Sequence, residues 1–273
     1  MLKNIFTKEQ EQDIINQYSI QHKSLRAVGD QYKVSRFVIK RILTENNVSI
    51  RHDNHKYKAD YSIFETIDNP EKAYWLGFLA ADGCNFRRAE NATIIINIHQ
   101  KDYHHLEQFR EFCKSDVNIQ KYTTSVGFSN NTPMCRISLN SIKMSDDLTK
   151  LGVTPRKSLT LQPPKINSKY YLPFILGYFD GDGSIYQLKT GEFGISFEGT
   201  KEILVWIIKV LNLNECKLEK RYDDNKNNYY FRVGGTHKPY LALKPLYESC
   251  NVHLDRKYKI YKKLEQVVLS RKA

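Results

Sequence analysis

Two aspartates carry the strongest chemical signal in this sequence. Asp82 closes the stretch WLGFLAADG (75–83) and Asp182 closes ILGYFDGDG (175–183), one hundred positions further on. Each follows a short apolar run and precedes a glycine. A carboxylate at a helix C-terminus is electrostatically disfavoured, because the helix dipole already gathers negative charge there. Two such ends brought together would concentrate two carboxylates and two rows of free carbonyls, an arrangement that calls for positive charge. Oxygen-only ligands in a partly hydrated, octahedral setting suit Mg²⁺. The repeated segments therefore predict a divalent-metal site at their acidic ends.

The elements that would position these acids are legible. Asn69 can cap a helix and Pro70 can occupy its first turn, giving a helix over 70–82. Gly77 and Ala81 lie four apart, as do Gly177 and Gly181, so each helix carries a strip without side-chain bulk. Such strips let two helices meet nearly backbone to backbone. Packing alone is enough reason for the strips, but it does not explain the acids. The glycines after them, Gly83 and Gly183, are expected to supply C-caps.

The duplication extends beyond the acidic segments. QKD at 100–102 matches TKE at 200–202, and Arg156-Lys157 matches Arg256-Lys257. After each acidic segment come strand, helix, strands and helix patterns. In ATIIINIHQ, Ile94, Ile96 and Ile98 fill one face, with Asn97 and His99 on the other. In MCRISLN, Arg136, Ser138 and Asn140 share a face opposite Cys135, Ile137 and Leu139. NIQKYTTSVGFSN, FGISFEG, CKLEKRY and NYYFRVGG complete the strand patterns. A constant offset over this length signals two copies of one α+β unit about a pseudo-symmetry axis.

Upstream, residues 1–50 read as helices. Thr7 caps the first; Ser24 caps a short helix with Leu25, Val28 and Tyr32; Ser35 caps a third with Val38, Ile39 and Ile42. Gly29 sits where crossing helices must approach closely. That is a helix-turn-helix pattern, with Arg36, Lys40 and Arg41 pointing outward toward a DNA groove. Residues 51–62 read as a polar linker, and its His52 and His55 as solvated rather than metal ligands.

Composition narrows the class. The 273 residues carry 42 Lys and Arg against 30 Asp and Glu, a formal charge of +12, which suits a polyanion partner. The five scattered cysteines form no C-x-x-C pair, against a disulfide framework or zinc ribbon. The longest apolar run, YYLPFILGYF, is too short to span a bilayer. A soluble, cytoplasmic protein with no membrane partner is expected.

The two segments together resemble the paired signatures of the LAGLIDADG homing endonucleases, in the single-chain form with both motifs, over roughly residues 63–262. The resemblance implies an α+β fold: two pseudo-symmetric αββαββα repeats forming a DNA-binding saddle, preceded by a small all-α helix-turn-helix domain. The expected boundaries are 1–50 for that domain, 51–62 for the linker, 63–160 for the first repeat and 161–273 for the second. By the same resemblance, Asp82 and Asp182 are the catalytic, metal-binding acids. The carbonyls of Ala81 and Gly181 also face metal, with two or three Mg²⁺ ions at the interface of the motif helices, whose contact is made by Gly77, Ala81, Gly177 and Gly181. Lys157 and Lys257, each 75 residues after its motif acid, are the candidates for assisting catalysis, with Arg156 and Arg256 as alternatives. Asn97, His99, Arg136, Ser138 and Asn140 in one half, and Ser196, Lys217, Arg221 and Arg232 in the other, would face double-stranded DNA. The first motif acid is Ala80 in one copy and Asp180 in the other, a departure at a position that does not bind metal.

The implied function is site-specific cleavage of both strands of a long, non-palindromic DNA by a monomer, in the manner of intron homing, from a phage or bacterial source. The alternative is a cleavage-inactive descendant acting as a DNA-binding regulator or an RNA-splicing maturase. Such descendants typically lose a motif acid, and this chain keeps both.

Overall fold

Thr7 starts the first helix with a reciprocal cap: its hydroxyl accepts from the Gln10 amide at 3.2 Å, and the Gln10 side chain accepts from the Thr7 amide at 2.9 Å. Helix α1 (Lys8–Ser19) is followed by α2 (Leu25–Gln31), capped by Ser24, and α3 (Arg36–Glu45). Ser35 holds the N-cap backbone position of α3, but its hydroxyl makes no capping bond, unlike the sequence expectation. A Cβ on Gly29 would lie 2.7 Å from the Val34 carbonyl oxygen. The close approach that demands glycine is thus to the turn entering α3. Ile14, Tyr18, Val28, Ile39, Ile42 and Leu43 form this unit's own core.

The computed structural model describes residues 6–21, 23–48, 50, 57–125, 131–221 and 226–271. They divide into two units, Met1–Lys56 and Tyr57–Ala273. Residues 57–62, read from sequence as linker, are tied into the second unit. The Lys58 amide donates to Asp116 Oδ1 at 2.7 Å, and the Asp60 amide donates to the Cys113 carbonyl at 2.8 Å. His52 and His55 lie outside the described residues, as do 126–130 of the expected strand region.

The second unit repeats one plan. Helix α4 (Pro70–Ala81) leads into β1 (Gly83–Arg88) and β2 (Asn91–His99), then α5 (Tyr103–Phe112), β3 (Gln120–Thr124), β4 (Thr132–Asn140) and α6 (Ile142–Lys150). The second pass is α7 (Tyr171–Asp182), β5 (Gly183–Gln187), β6 (Phe193–Gly199), α8 (Lys201–Val210), β7 (Glu219–Lys220), β8 (Tyr229–Gly234) and α9 (His237–Ser249). Each half is an αββαββα repeat with an antiparallel sheet in the order β1-β2-β4-β3 or β5-β6-β8-β7. Of the strand expected over CKLEKRY, Tyr222 lies outside the described residues, and among the rest only Glu219–Lys220 is strand. Asn212 turns the chain in left-handed backbone (φ 54°), and the Cys216 amide bonds back to Leu213, so few residues remain to align with β8. A further helix, α10 (Asp255–Ser270), follows the second repeat. At the matching place after the first repeat stands a three-residue 3₁₀ turn, Lys157–Leu159.

Alternation builds the core. Ile94, Ile96 and Ile98 point inward with Cys135, Ile137 and Leu139, and Phe193, Ile195 and Phe197 point inward with Phe231 and Val233. The opposite face of each sheet is open. Among the described residues, no helix is long and apolar enough to cross a membrane.

Candidate active site

The two motif helices cross backbone to backbone. Asn69 Oδ1 caps α4 by accepting from the Lys72 amide at 2.9 Å. A Cβ on Gly77 would fall 2.0 Å from the Phe174 carbonyl oxygen, and one on Gly177 would fall 1.9 Å from that of Tyr74. Further along, a Cβ on Gly181 would meet Ala81 Cβ at 2.3 Å. The small-residue strips are therefore a steric requirement. The glycines after the acids play a different part from the one read in sequence. Gly183 has extended backbone (φ −95°), and Gly83 is absent from the positive-φ positions, so neither forms a left-handed C-cap. A Cβ on Gly83 would lie 2.6 Å from the Leu79 carbonyl oxygen, and one on Gly183 would lie 2.5 Å from that of Phe179. Each strand leaves its helix too tightly for any side chain.

This crossing delivers Asp82 and Asp182 to the same end of the pair. Both side chains reach solvent, yet the protein around them displaces enough water to perturb them. Desolvation raises the Asp82 carboxyl, opposed by Lys257, Lys157 and Arg256. Desolvation and then the charge of Asp82 push Asp182 up to about 7, against the pull of Lys157 and Lys257. Because both acids touch water, these shifts are smaller stability terms than full burial would make them.

The two lysines matched by spacing both reach this end, but they are not equivalent. Lys157, 7% exposed, donates from Nζ to the Ala81 carbonyl at 2.8 Å. Burial lowers its pKa, while Asp182 and Asp82 hold it up. Lys257, 2% exposed, donates to three carbonyls, those of Phe179 (2.5 Å), Asp180 (2.9 Å) and Gly183 (2.5 Å). Burial brings it down to about 8. Its three N–H groups are thus committed to the end of α7, whereas Lys157 has donors to spare. Arg156 is exposed in left-handed backbone (φ 58°). Arg256 Nε donates to both carboxylate oxygens of Asp102, at 2.9 and 3.2 Å.

A hollow flanks each acid. One, about 240 Å³, is lined by Asp182, Lys157, Tyr178, Glu198 and Asn228. The other, about 260 Å³, is lined by Asp82, Arg256, Asp102, Asn97, His99 and Lys101. Asp102 and Glu198 escaped the sequence reading. The match of QKD with TKE marked the region of Asp102, but nothing local showed that it faces Arg256 across 154 positions.

The donor set fits a hard divalent ion. Among the described residues, no group of three or more His, Cys, Asp or Glu gathers to hold a metal. Mg²⁺ needs only one or two carboxylates, since it keeps several waters. Asp182 is raised first by desolvation and then by repulsion from Asp82, and a bound cation would offset both. The Ala81 carbonyl already accepts from Lys157, so one of its two lone pairs is taken.

The residues expected to face DNA lie mostly on the open sheet faces. Asn97 pairs in register with Arg136, and Ser196 with Arg232. Ser138 and Asn140 share the Arg136 face, where Asn140 accepts from the Thr93 hydroxyl at 2.8 Å. Asn97 accepts from the Tyr122 hydroxyl, and His99 Nδ1 accepts from the Lys101 amide at 3.0 Å. The Arg136 guanidinium lies 5.4 Å from the Tyr122 ring centre, and that of Arg232 lies 4.8 Å from Tyr230. Arg221 pairs with Glu198 at 3.5 Å, and Lys217 stands on the loop before β7. In the N-terminal unit, Arg36 lies over the exposed Phe37 ring at 5.0 Å, Lys40 is half-buried, and Arg41 pairs with Glu45 at 3.6 Å.

No family model and no curated protein matches this chain. Solved structures do. The chain is similar to the homing endonuclease I-WcaI bound to its DNA recognition sequence, at 16% identity and a TM-score of 0.50, over 71% of this chain and 87% of that one. It is also similar to the meganuclease I-SmaMI bound to uncleavable DNA (15% identity, TM-score 0.49, 75% of this chain and 91% of that one). A third is the LAGLIDADG homing endonuclease I-LtrWI bound to target DNA (12% identity, TM-score 0.48, 78% of this chain and 91% of that one). At these identities the likeness is one of fold.

Proposed function

We propose that this chain, with the fold of the two-motif LAGLIDADG homing endonucleases, is a site-specific DNA endonuclease that hydrolyses one phosphodiester on each strand of a long, non-palindromic target. One observation carries the reading. The backbone-to-backbone crossing sets two aspartates at one end of the motif helices, each in its own hollow with its own cation. A packing role for the repeated segments would need the glycines but not the paired acids.

Asp82 and Asp182, with the carbonyls of Ala81 and Gly181, would hold the divalent ions, and Mg²⁺ is the one their hardness suits. When bound, such ions supply an activated water and neutralise charge at the phosphate. The chain's own groups do the rest. Lys157 has spare N–H groups beside Asp182 to orient a water or a phosphate oxygen, and its lowered pKa eases release of a proton. Arg256, braced by Asp102, directs a planar donor fork into the Asp82 hollow. Lys257 ties down the end of α7 that carries Asp182.

The open sheet faces, with Arg136 and Arg232, would lie in the major groove and read bases. The two faces differ in sequence, which favours a non-palindromic target. The N-terminal helices would add affinity as a second tethered binding module. The protein would act as a monomer, since one chain supplies both acids.

The test uses single substitutions, Asp82→Asn and Asp182→Asn, on duplex DNA in Mg²⁺. Each is expected to abolish double-strand cleavage while binding persists. If binding is specific and the unsubstituted protein cuts nothing, the regulator or maturase reading replaces this one.

A further inference from the structure

The two motif helices differ at one position with structural consequences: residue 80 is alanine and residue 180 is aspartate. Asp180 is 1% exposed. Its Oδ2 accepts from the Tyr74 hydroxyl on α4 at 2.7 Å and from the Leu254 amide at 2.7 Å. Its Oδ1 is buried with no hydrogen-bond partner among the described residues. A buried carboxylate with an unpaired oxygen is destabilising, so its retention asks for a reason beyond packing.

Leu254 supplies that reason. It is the N-cap of α10, and two residues on stands Arg256, whose guanidinium reaches Asp102 in the hollow of Asp82. One residue further, Lys257 holds the end of α7. Asp180 thus ties three elements at one point: its own helix, the opposite motif helix through Tyr74, and the start of α10. Among the described residues, nothing equivalent serves the other hollow. Ala80 has no carboxylate, and Lys157 rides on a three-residue 3₁₀ turn entered through left-handed Arg156.

We infer that Asp180 is a positioning residue for one of the two cutting centres: it pins the start of α10 so that Arg256 stands over the Asp82 hollow, and the two strands are therefore cut at unequal rates. This rests on the endonuclease reading above. It makes strand preference a property of the protein's own asymmetry, in addition to any preference the DNA sequence imposes.

The experiment follows each strand separately. A duplex selected from a random pool by binding in Ca²⁺ is labelled differently on its two strands and cut by excess full-length protein in Mg²⁺. Asp180→Asn is expected to slow one strand by about tenfold to a hundredfold, the scale of a misplaced catalytic group, with the other changed by less than about twofold. Nicked duplex then accumulates. Arg256→Ala must slow the same strand, and Lys157→Ala the other. Equal slowing of both strands by Asp180→Asn, slowing of neither, or slowing of the strand that Lys157→Ala affects would overturn the assignment. If Asp180→Asn does not fold, Tyr74→Phe removes one of the two donors and keeps the carboxylate. It is expected to give a smaller lag on the same strand, and equal slowing of both strands would again refute the role. Cleavage of neither strand by the unsubstituted protein would instead remove the endonuclease reading itself.

Discussion

Replacing Lys257 by methionine isolates the contact that most distinguishes the two halves. Methionine keeps much of the buried stem and removes the ammonium. Three carbonyls at the end of α7, those of Phe179, Asp180 and Gly183, then lose their donor, and the buried Asp180 carboxylate loses its strongest counter-charge. Hydrogen bonds to a charged group are worth about 1.5–3 kcal/mol each, but they do not add here. Asp180, already raised to about 6 by burial, can take up a proton and relieve the loss. Breaking a buried charge pair from one side costs about 3–5 kcal/mol, and that is the expected destabilisation. Lys157→Met removes the contact to the Ala81 carbonyl at a site that opens on a hollow, for about 1–2 kcal/mol. Urea unfolding followed by tryptophan fluorescence measures both, because Trp75 and Trp206 lie in the second unit. Equal losses from the two substitutions would refute the account of Lys257 as the clamp on α7.

Three other predictions follow from separate parts of the molecule. Gly177→Ala drives a Cβ to 1.9 Å from a backbone oxygen and should cost about 3 kcal/mol or more, whereas Gly234→Ala, with open space around it, should change stability by less than about 0.5 kcal/mol; urea titration compares them. Arg136 and Arg232 are stacked on tyrosines and, among the described residues, pair with no carboxylate, so each alanine substitution should relax discrimination at one base pair by about 1–3 kcal/mol. A bound-site profile that weakens evenly at all positions would assign them to phosphates instead. His105, buried against Trp75 and Phe78, is held down to about 3 by desolvation. The unfolded chain then binds the extra proton, so the stability is complete above about 6.5 and falls toward pH 3 by up to about 1.4 kcal/mol per pH unit. His105→Gln should flatten that slope, as measured by unfolding at several pH values.

Much of this is legible in the sequence. The hundred-residue offset exposed the two acids, and the constant 75-residue interval singled out Lys157 and Lys257, both of which reach the acidic end of the helix pair. Alternation placed Asn97 and Arg136, and the resemblance Arg232, on faces that prove to be open. What stayed hidden depends on long-range geometry. The Arg256–Asp102 pair spans 154 positions and two repeats. That Lys257 is saturated while Lys157 is not follows from α10, which has no counterpart after the first repeat. The glycines after the acids misled for a physical reason. Glycine at a helix end suggests left-handed backbone, but here it answers the tight exit of the strand past Leu79 and Phe179. Residues 57–62 look like linker because composition reveals neither their hydrogen bonds to Cys113 and Asp116 nor the packing of Tyr57, Ala59 and Tyr61 on the core.

If Asp82 and Asp182 make this chain a metal-dependent DNA endonuclease, as proposed, cleavage must require both the ion and the two acids. The most direct measurement takes duplexes enriched from a random pool by binding in Ca²⁺, exchanges Ca²⁺ for Mg²⁺, and resolves the ends. Staggered double-strand breaks with the unsubstituted protein, and none with Asp82→Asn or Asp182→Asn, are predicted. Bound duplexes that stay intact in Mg²⁺, or breaks that persist in both variants, would contradict it.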